Sequence, residues 1–288
     1  MKRSARRLLP ALAALGLALP AQAAPAMWEV RDADSAIWLF GSISELPESL
    51  DWRTPLFDDV LTAADKVVFE NDLGPAATNA IGAASLAEGI YTDGTLLTDL
   101  LDADTELTLR RAAEMAGIPT GVLISMRPWF AAGAIYVGTQ VAYGLGDYSL
   151  ASQLQPELPA DRLIFLETLE DGMSVLAEMS EDDQLEMLTS TLGQLRTIPK
   201  RASKLTLNWV AGTPENVGDV FVMEAGAFTD GFIEQMVYAR TRRWVFPVEA
   251  MLQRNEENLV IVDTANVIGD GGLLDLLGEA GYTIERVQ

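Results

Sequence analysis

Leu259-Val260-Ile261-Val262-Asp263-Thr264-Ala265-Asn266 sets an unbroken aliphatic run directly against a polar one. Four aliphatic residues without alternation suit a strand covered on both faces, as parallel strands are. The run stops at Asp263. Three other short β-rich runs stop in the same way. Lys66-Val67-Val68-Phe69 ends at Glu70, Arg162-Leu163-Ile164-Phe165-Leu166 ends at Glu167, and Ala36-Ile37-Trp38-Leu39-Phe40 runs into Gly41-Ser42-Ile43-Ser44. In an open α/β sheet, ligands bind beyond the carboxyl ends of the strands. If these four strands are mainly parallel, their polar ends converge on one edge. Taken singly, each end also reads as turn or cap chemistry, because Ser, Asp, Asn and Gly are the common turn residues.

Helical patterns fill the spaces between. Trp28-Glu29-Val30, a turn at Arg31–Asp34 and Ala36–Phe40 form a hairpin. Helices are expected over 52–64, 76–88, 105–115, 128–143, 171–197, 229–252 and 271–278, and 283–287 closes as a strand. In 105–115 the apolar face carries Leu107, Leu109 and Ala113, and Gly117-Ile118-Pro119 stops the helix. Asp230 is a cap candidate, and Pro247 an expected kink or break. No repeat or linker interrupts the pattern. It predicts one α/β domain over 24–288, a small mixed sheet flanked by many helices.

Residues 1–23 read as a secretory leader, with Lys2, Arg3, Arg6 and Arg7 basic, Leu8–Leu19 apolar, and Ala21-Gln22-Ala23 before the cut. The protein is therefore expected in the periplasm or secreted, with no stable membrane span once cleaved. Removing four of the 20 basic residues leaves 16 against 42 acidic ones, a net charge of −26. That charge opposes a role on nucleic acid or on anionic membranes. With 49% hydrophobic residues, it does not imply disorder. The chain has no His and no Cys, which removes triads, Cys–His pairs, His-held zinc, thiolates and disulfides. Catalysis here would rest on carboxylates, hydroxyls, Tyr, Lys or Arg.

Several motifs together resemble the TraB/GumN family, exported or membrane-associated α/β proteins related to the Tiki proteases. They are Pro25-Ala26-Met27-Trp28, Gly41-Ser42-Ile43-Ser44-Glu45-Leu46-Pro47, Ala64–Glu70, Met126-Arg127-Pro128-Trp129, Leu166-Glu167-Thr168, Gly272-Leu273-Leu274 and Gly281–Val287. The resemblance implies a metal site built from two G-x-x-H motifs and the strand-end Glu. In this sequence Ser44 and Asn266 stand where those histidines belong, and Asp263 stands at the second motif's Gly. Glu70 is kept, the family's Arg-Asn pair reads Arg240-Thr241, and Asp147 is aligned with an acidic position after the middle helix.

The resemblance thus implies a degenerate metal hydrolase, peptidase-like in ancestry, that binds a small molecule, a peptide or an envelope protein. Ser44, Glu70, Glu167 and Asn266 are its candidate site residues, and no cofactor is expected. A hydroxyl and an amide oxygen could help hold only a hard cation, with Glu45, Asp263 and Glu167 as further oxygens. The alternative is an active hydrolase with a carboxylate-only site, Glu70 with Glu167 or Asp263. A structural reading has Glu70 accepting strand-end amides or pairing with Arg127 or Arg240. A third possibility is a purely structural envelope protein.

The remaining charged and aromatic clusters have plain readings. Asp99, Asp102, Asp104 and Glu106 suit a helix N-terminus, and Glu178–Glu186 a solvated face. Arg196, Lys200, Arg201 and Lys204 suit internal pairing, and Trp129, Phe130, Tyr136 and Tyr143 suit the core.

Overall fold

A computed structural model describes residues 24–44, 46–47, 50–145, 149–223 and 233–288, with the backbone alone over 219–223. Glu45, Asp147 and Asp230, named above, lie outside the described residues.

The hairpin forms as expected, β1 (Met27–Arg31) against β2 (Ala36–Ser42), antiparallel with Met27 opposite Phe40. Asp32 Oδ1 closes its turn by accepting the amides of Asp34 at 3.1 Å and Ser35 at 2.9 Å. Helix α1 (Pro55–Ala63) starts one turn later than read, because Thr54 caps it by accepting the Phe57 amide at 3.1 Å. Strand β3 (Lys66–Phe69) leads to α2 (Pro75–Gly89). Asp102 caps α3 (Ala103–Ala116), accepting the Thr105 amide at 2.8 Å, and Gly117 ends it at φ +70°. Short α4 (Thr120–Leu123), α5 (Pro128–Ala142) and α6 (Leu150–Leu154) precede β4 (Leu163–Phe165).

The long helix expected over 171–197 is two helices, α7 (Leu169–Ala177) and α8 (Glu181–Gln194). Ser180 restarts the chain by accepting the Asp183 amide at 3.2 Å, and the acids after it sit at a helix start. Helices α9 (Ile198–Val210) and α10 (Pro214–Met223) were not anticipated. A π-helical turn, Glu234–Ala239, then runs into α11 (Arg240–Gln253). Pro247 lies inside α11 and does not end it. The carbonyl four residues before it belongs to Arg243, which is exposed, so the bond that Pro247 cannot donate is missing on the solvent side of the helix. Strand β5 (Asn258–Asp263), α12 (Thr264–Val267), α13 (Leu273–Glu279) and β6 (Thr283–Arg286) complete the chain.

The sheet is mixed, in the order β4-β3-β5-β2-β1-β6. Its four central-to-edge strands β4, β3, β5 and β2 are parallel, while β1 and β6 run against them. One face buries Met27, Phe40, Phe57, Phe69 and Trp209; the other buries Val30, Leu39, Val68, Trp244 and Val260. The period-2 alternation along each strand assigns these residues to opposite faces.

A second core lies away from the sheet, where α3, α5 and α8 pack around Leu109, Ala113, Leu123, Ile135 and Leu188. Gly138 lets α5 approach α3 closely: a Cβ there would stand 2.7 Å from the Ala116 carbonyl. Leu109 and Ala113 are buried as expected, but Leu107 is exposed and Ala112 takes its place inside. Trp129 is buried, whereas Tyr143, expected in the core, is 40% exposed just after the last turn of α5. None of the described helices is long and apolar enough to cross a membrane.

Candidate site at the carboxyl edge of the sheet

Because β2, β5, β3 and β4 are parallel, their four polar ends share one edge. Register fixes the alignment: Ser42 pairs with Asp263 across β2 and β5, and Phe69 pairs with both Ile261 and Phe165. Gly41 permits the close approach of α12, since a Cβ there would meet Thr264 Oγ1 at 2.8 Å. Thr264 in turn donates to the Ser42 carbonyl at 2.7 Å, and Trp209 donates to the Gly41 carbonyl at 2.6 Å.

Glu70 follows β3, and both of its oxygens are engaged. Oε1 accepts the Asp263 amide at 2.6 Å, and Oε2 accepts Arg240 Nη2 at 2.8 Å. Glu167 follows β4 and is bound by the same guanidinium. It accepts Arg240 Nε at 2.9 and 3.2 Å and a shorter bond from Nη2, and it takes the Trp244 indole N–H at 3.3 Å. Arg240 Nη1 donates to the Met236 carbonyl at 3.2 Å, and its plane lies 4.7 Å from the Trp244 ring centroid. Side-chain exposures of 12% for Arg240, 21% for Glu70 and 5% for Glu167 make this a largely desolvated triad. One nitrogen shared by two carboxylates holds their oxygens within about 6 Å of each other. Burial alone would lower the Arg240 pKa; the charges and hydrogen bonds of Glu70 and Glu167 outweigh it and raise the value.

Asp263 caps α12 by accepting the Ala265 amide at 2.9 Å. The residue is half-buried, but its carboxyl is densely surrounded. Burial first, and the Glu70 charge second, push its pKa from 3.8 up to about 7; the Ala265 amide, Arg240 and Ser44 pull the other way. Ser44 is exposed beyond β2 and reaches the Asp263 carboxyl with its hydroxyl.

Asn266 turns elsewhere. It is 2% exposed, and its amide nitrogen donates to the Val237 carbonyl at 3.1 Å and to Thr241 Oγ1 at 2.8 Å. Thr241 Oγ1 also donates to Val237 at 2.8 Å. Val237 and Met236 belong to the π turn; the Val237 carbonyl takes the Arg240 backbone amide as well as the Asn266 and Thr241 side chains, and the Met236 carbonyl takes the Arg240 guanidinium.

All four candidate residues therefore fall within one connected network: Ser44 to Asp263, Asp263 to Glu70, Glu70 through Arg240 to Glu167, and Asn266 onto the turn that launches Arg240. Of the two arginines proposed for Glu70, Arg240 is the partner. Arg127 instead lies over the Tyr91 ring, 4.8 Å from its centroid. Trp244 went unnoticed as a site neighbour. Its spacing of four residues from Arg240 on one helix was the available signal.

This donor set does not fit a metal. Glu70 and Glu167 are both paired with the Arg240 guanidinium, whose positive charge opposes a cation at the same oxygens, Asn266 is buried and anchored away from them, and among the described residues no group of three or more Asp or Glu could hold an ion. A crevice lined by Ala26, Trp28, Gly41, Trp209, Pro214 and Thr264 lies beside the network and has no room for a water-sized sphere.

The fold and the site together define a mixed α/β domain with a buried carboxylate–guanidinium cluster at the carboxyl ends of its parallel strands. Residues 26–286 match the TraB/PrgY/gumN family, and the chain belongs to it. No curated protein and no solved structure matches the chain.

Proposed function

We propose that this chain is an exported member of its family in which the metal-hydrolase site has become a binding site for a small molecule, a peptide or an envelope partner. One observation carries the reading. Glu70, the residue kept from the family's metal site, has one oxygen on the Asp263 amide and the other on Arg240. Arg240 already balances the Glu70 charge, so a cation there would meet a guanidinium at hydrogen-bond distance from the same oxygen, and Ser44 and Asn266 replace the imidazoles that would hold one. The test is calorimetric titration of the mature protein with zinc and manganese, alongside a peptidase assay with each metal. The expected result is no saturable binding and no metal-dependent cleavage. Cleavage that requires metal and disappears in Glu70→Gln would overturn the reading.

A second reading has its own support. Asp263, shifted to about 7 beside Glu70, has the proton affinity of a general acid working near neutrality. A metal-independent hydrolase would lose activity in Asp263→Asn and keep it in the presence of chelator. Activity unchanged by that substitution would remove this alternative.

A further inference from the structure

Helix α9 presents two faces of opposite character. Ile198, Ala202, Leu205 and Trp209 recur at helical spacing and are buried. Ile198 belongs to the helical core, while Leu205 and Trp209 belong to the sheet core, so the helix joins the two. At about 100° per residue, Lys200 points straight away from that buried stripe, and Lys204 and Leu207 fall within about 40° of Lys200. Arg196, in the 3-10 turn Leu195–Thr197 just before α9, is exposed as well. Leu207 is 71% exposed.

Helix stability does not account for this row. Like charges four residues apart repel, and cations near a helix start oppose its dipole. The first turn of α9 carries no acid to offset them. Internal pairing, expected for the whole cluster, accounts for only part of it. Arg201 turns inward, donating to the Tyr136 hydroxyl and lying 5.5 Å from the centroid of that ring. Elsewhere, Arg31, Arg53, Arg110, Arg242 and Arg254 each hold a carboxylate, although each is more than a third exposed. Arg196 and Lys200 hold none among the described residues, in a chain with 42 acidic residues against 20 basic ones.

We propose that Arg196, Lys200 and Leu207 form a docking row for an acidic segment of a partner protein. The two cations take its carboxylates, and Leu207 takes an apolar side chain beside them. The chain's own charge selects this class of partner. A membrane or a nucleic acid would bring an extended anionic surface against the acidic remainder of the protein. A single extended segment meets only the strip. From Lys200 to Leu207 the helix rises about 10 Å, the reach of about three residues of extended chain. Charge complementarity would set the orientation and speed of the encounter, and burial of Leu207 would add affinity. The row shares no residue with the Arg240 network, so the inference does not depend on how that site is read.

The test is fluorescence anisotropy of the purified protein with a short fluorescein-labelled peptide of consecutive Glu residues ending in Leu. Saturable binding at low salt is expected, weakening as salt rises. Replacing both cations, Arg196→Gln with Lys200→Gln, should weaken it about fivefold or more, since exposed ion pairs are individually modest. Leu207→Ala should weaken it about threefold. Arg111→Gln, at an exposed arginine of α3 outside the row, should leave it unchanged. All four positions are exposed, so circular dichroism should show every variant folded. Absence of saturable binding would overturn the proposal, as would binding that the paired substitution does not weaken or that Arg111→Gln weakens equally. Phosphatidylglycerol vesicles bound only by wild type would assign the row to a membrane surface instead. Self-association in sedimentation, lost in the paired variant, would assign it to a second copy. Either result would overturn the acidic-partner reading.

Discussion

The sheet edge and the helical core are held together by different physics. At the edge, Glu70, Glu167, Arg240 and Asn266 are all largely buried, and each finds a charged or backbone partner. In the helical core, contact is almost wholly apolar, and α5 carries two buried donors without partners, Trp129 Nε1 and Thr139 Oγ1. An ion triad fixes the positions of its members, because a displaced buried charge has no substitute partner. Aliphatic packing only requires that the space be filled. The edge is accordingly the region in which geometry is specified side chain by side chain.

Four substitutions test that contrast. Arg240→Met should be the most damaging, because it strands two carboxylates with little solvent. A loss of about 3–5 kcal/mol is expected in urea unfolding. A loss below about 1 kcal/mol would mean the triad contributes no specification. Leu123→Ala, fully buried between the helices, should cost roughly 2–4 kcal/mol by the same measurement through its cavity. If it costs more than Arg240→Met, the contrast is reversed.

Asp263 provides a pH-dependent test. Its folded pKa of about 7 lies above the ordinary 3.8, so the folded state binds the proton more tightly than the unfolded chain. The resulting stabilisation is complete below about pH 4 and is lost as pH rises through 7. Asp263→Asn keeps an N-cap and should flatten the stability profile in that window, by on the order of 1–3 kcal/mol after allowing for partial solvent contact. A variant whose profile parallels wild type would place the titration elsewhere. Trp129→Phe should matter least: removing an unpartnered N–H while keeping the ring is expected to stay within about 0.5 kcal/mol of wild type. A larger loss would show that the indole nitrogen has a partner in solution.

The same contrast governs how much could be read from the sequence. Strands β3 and β5 and the hairpin were legible because their unbroken or alternating patterns are set by burial on the sheet, and β3 falls on its expected bounds. The strand-end carboxylates were legible because parallel strands must deliver their ends to one edge. That Glu70 and Glu167 share one guanidinium was not legible, since Arg240 lies 170 residues from one and 73 from the other. The break at Ser180 was hidden because an acidic run suits a helix interior face and a helix start equally well. Leu107 was misplaced for a related reason: a three-residue apolar stripe does not fix which flank of a helix turns inward until its neighbours, α5 and α8, are known.

The π turn at Glu234–Ala239 has a consequence for how this edge tolerates change in length. Each residue added to or removed from a helix turns everything downstream by about 100°. Losing one residue from the wide turn would restore an ordinary helix and rotate Arg240 and Trp244 away from Glu167 together. The turn thus sets the angular phase of α11, and the guanidinium's aim depends on a count of residues as much as on their identity. Insertions and deletions between Ile233 and Arg240 should therefore be far less tolerated than substitutions at the same positions.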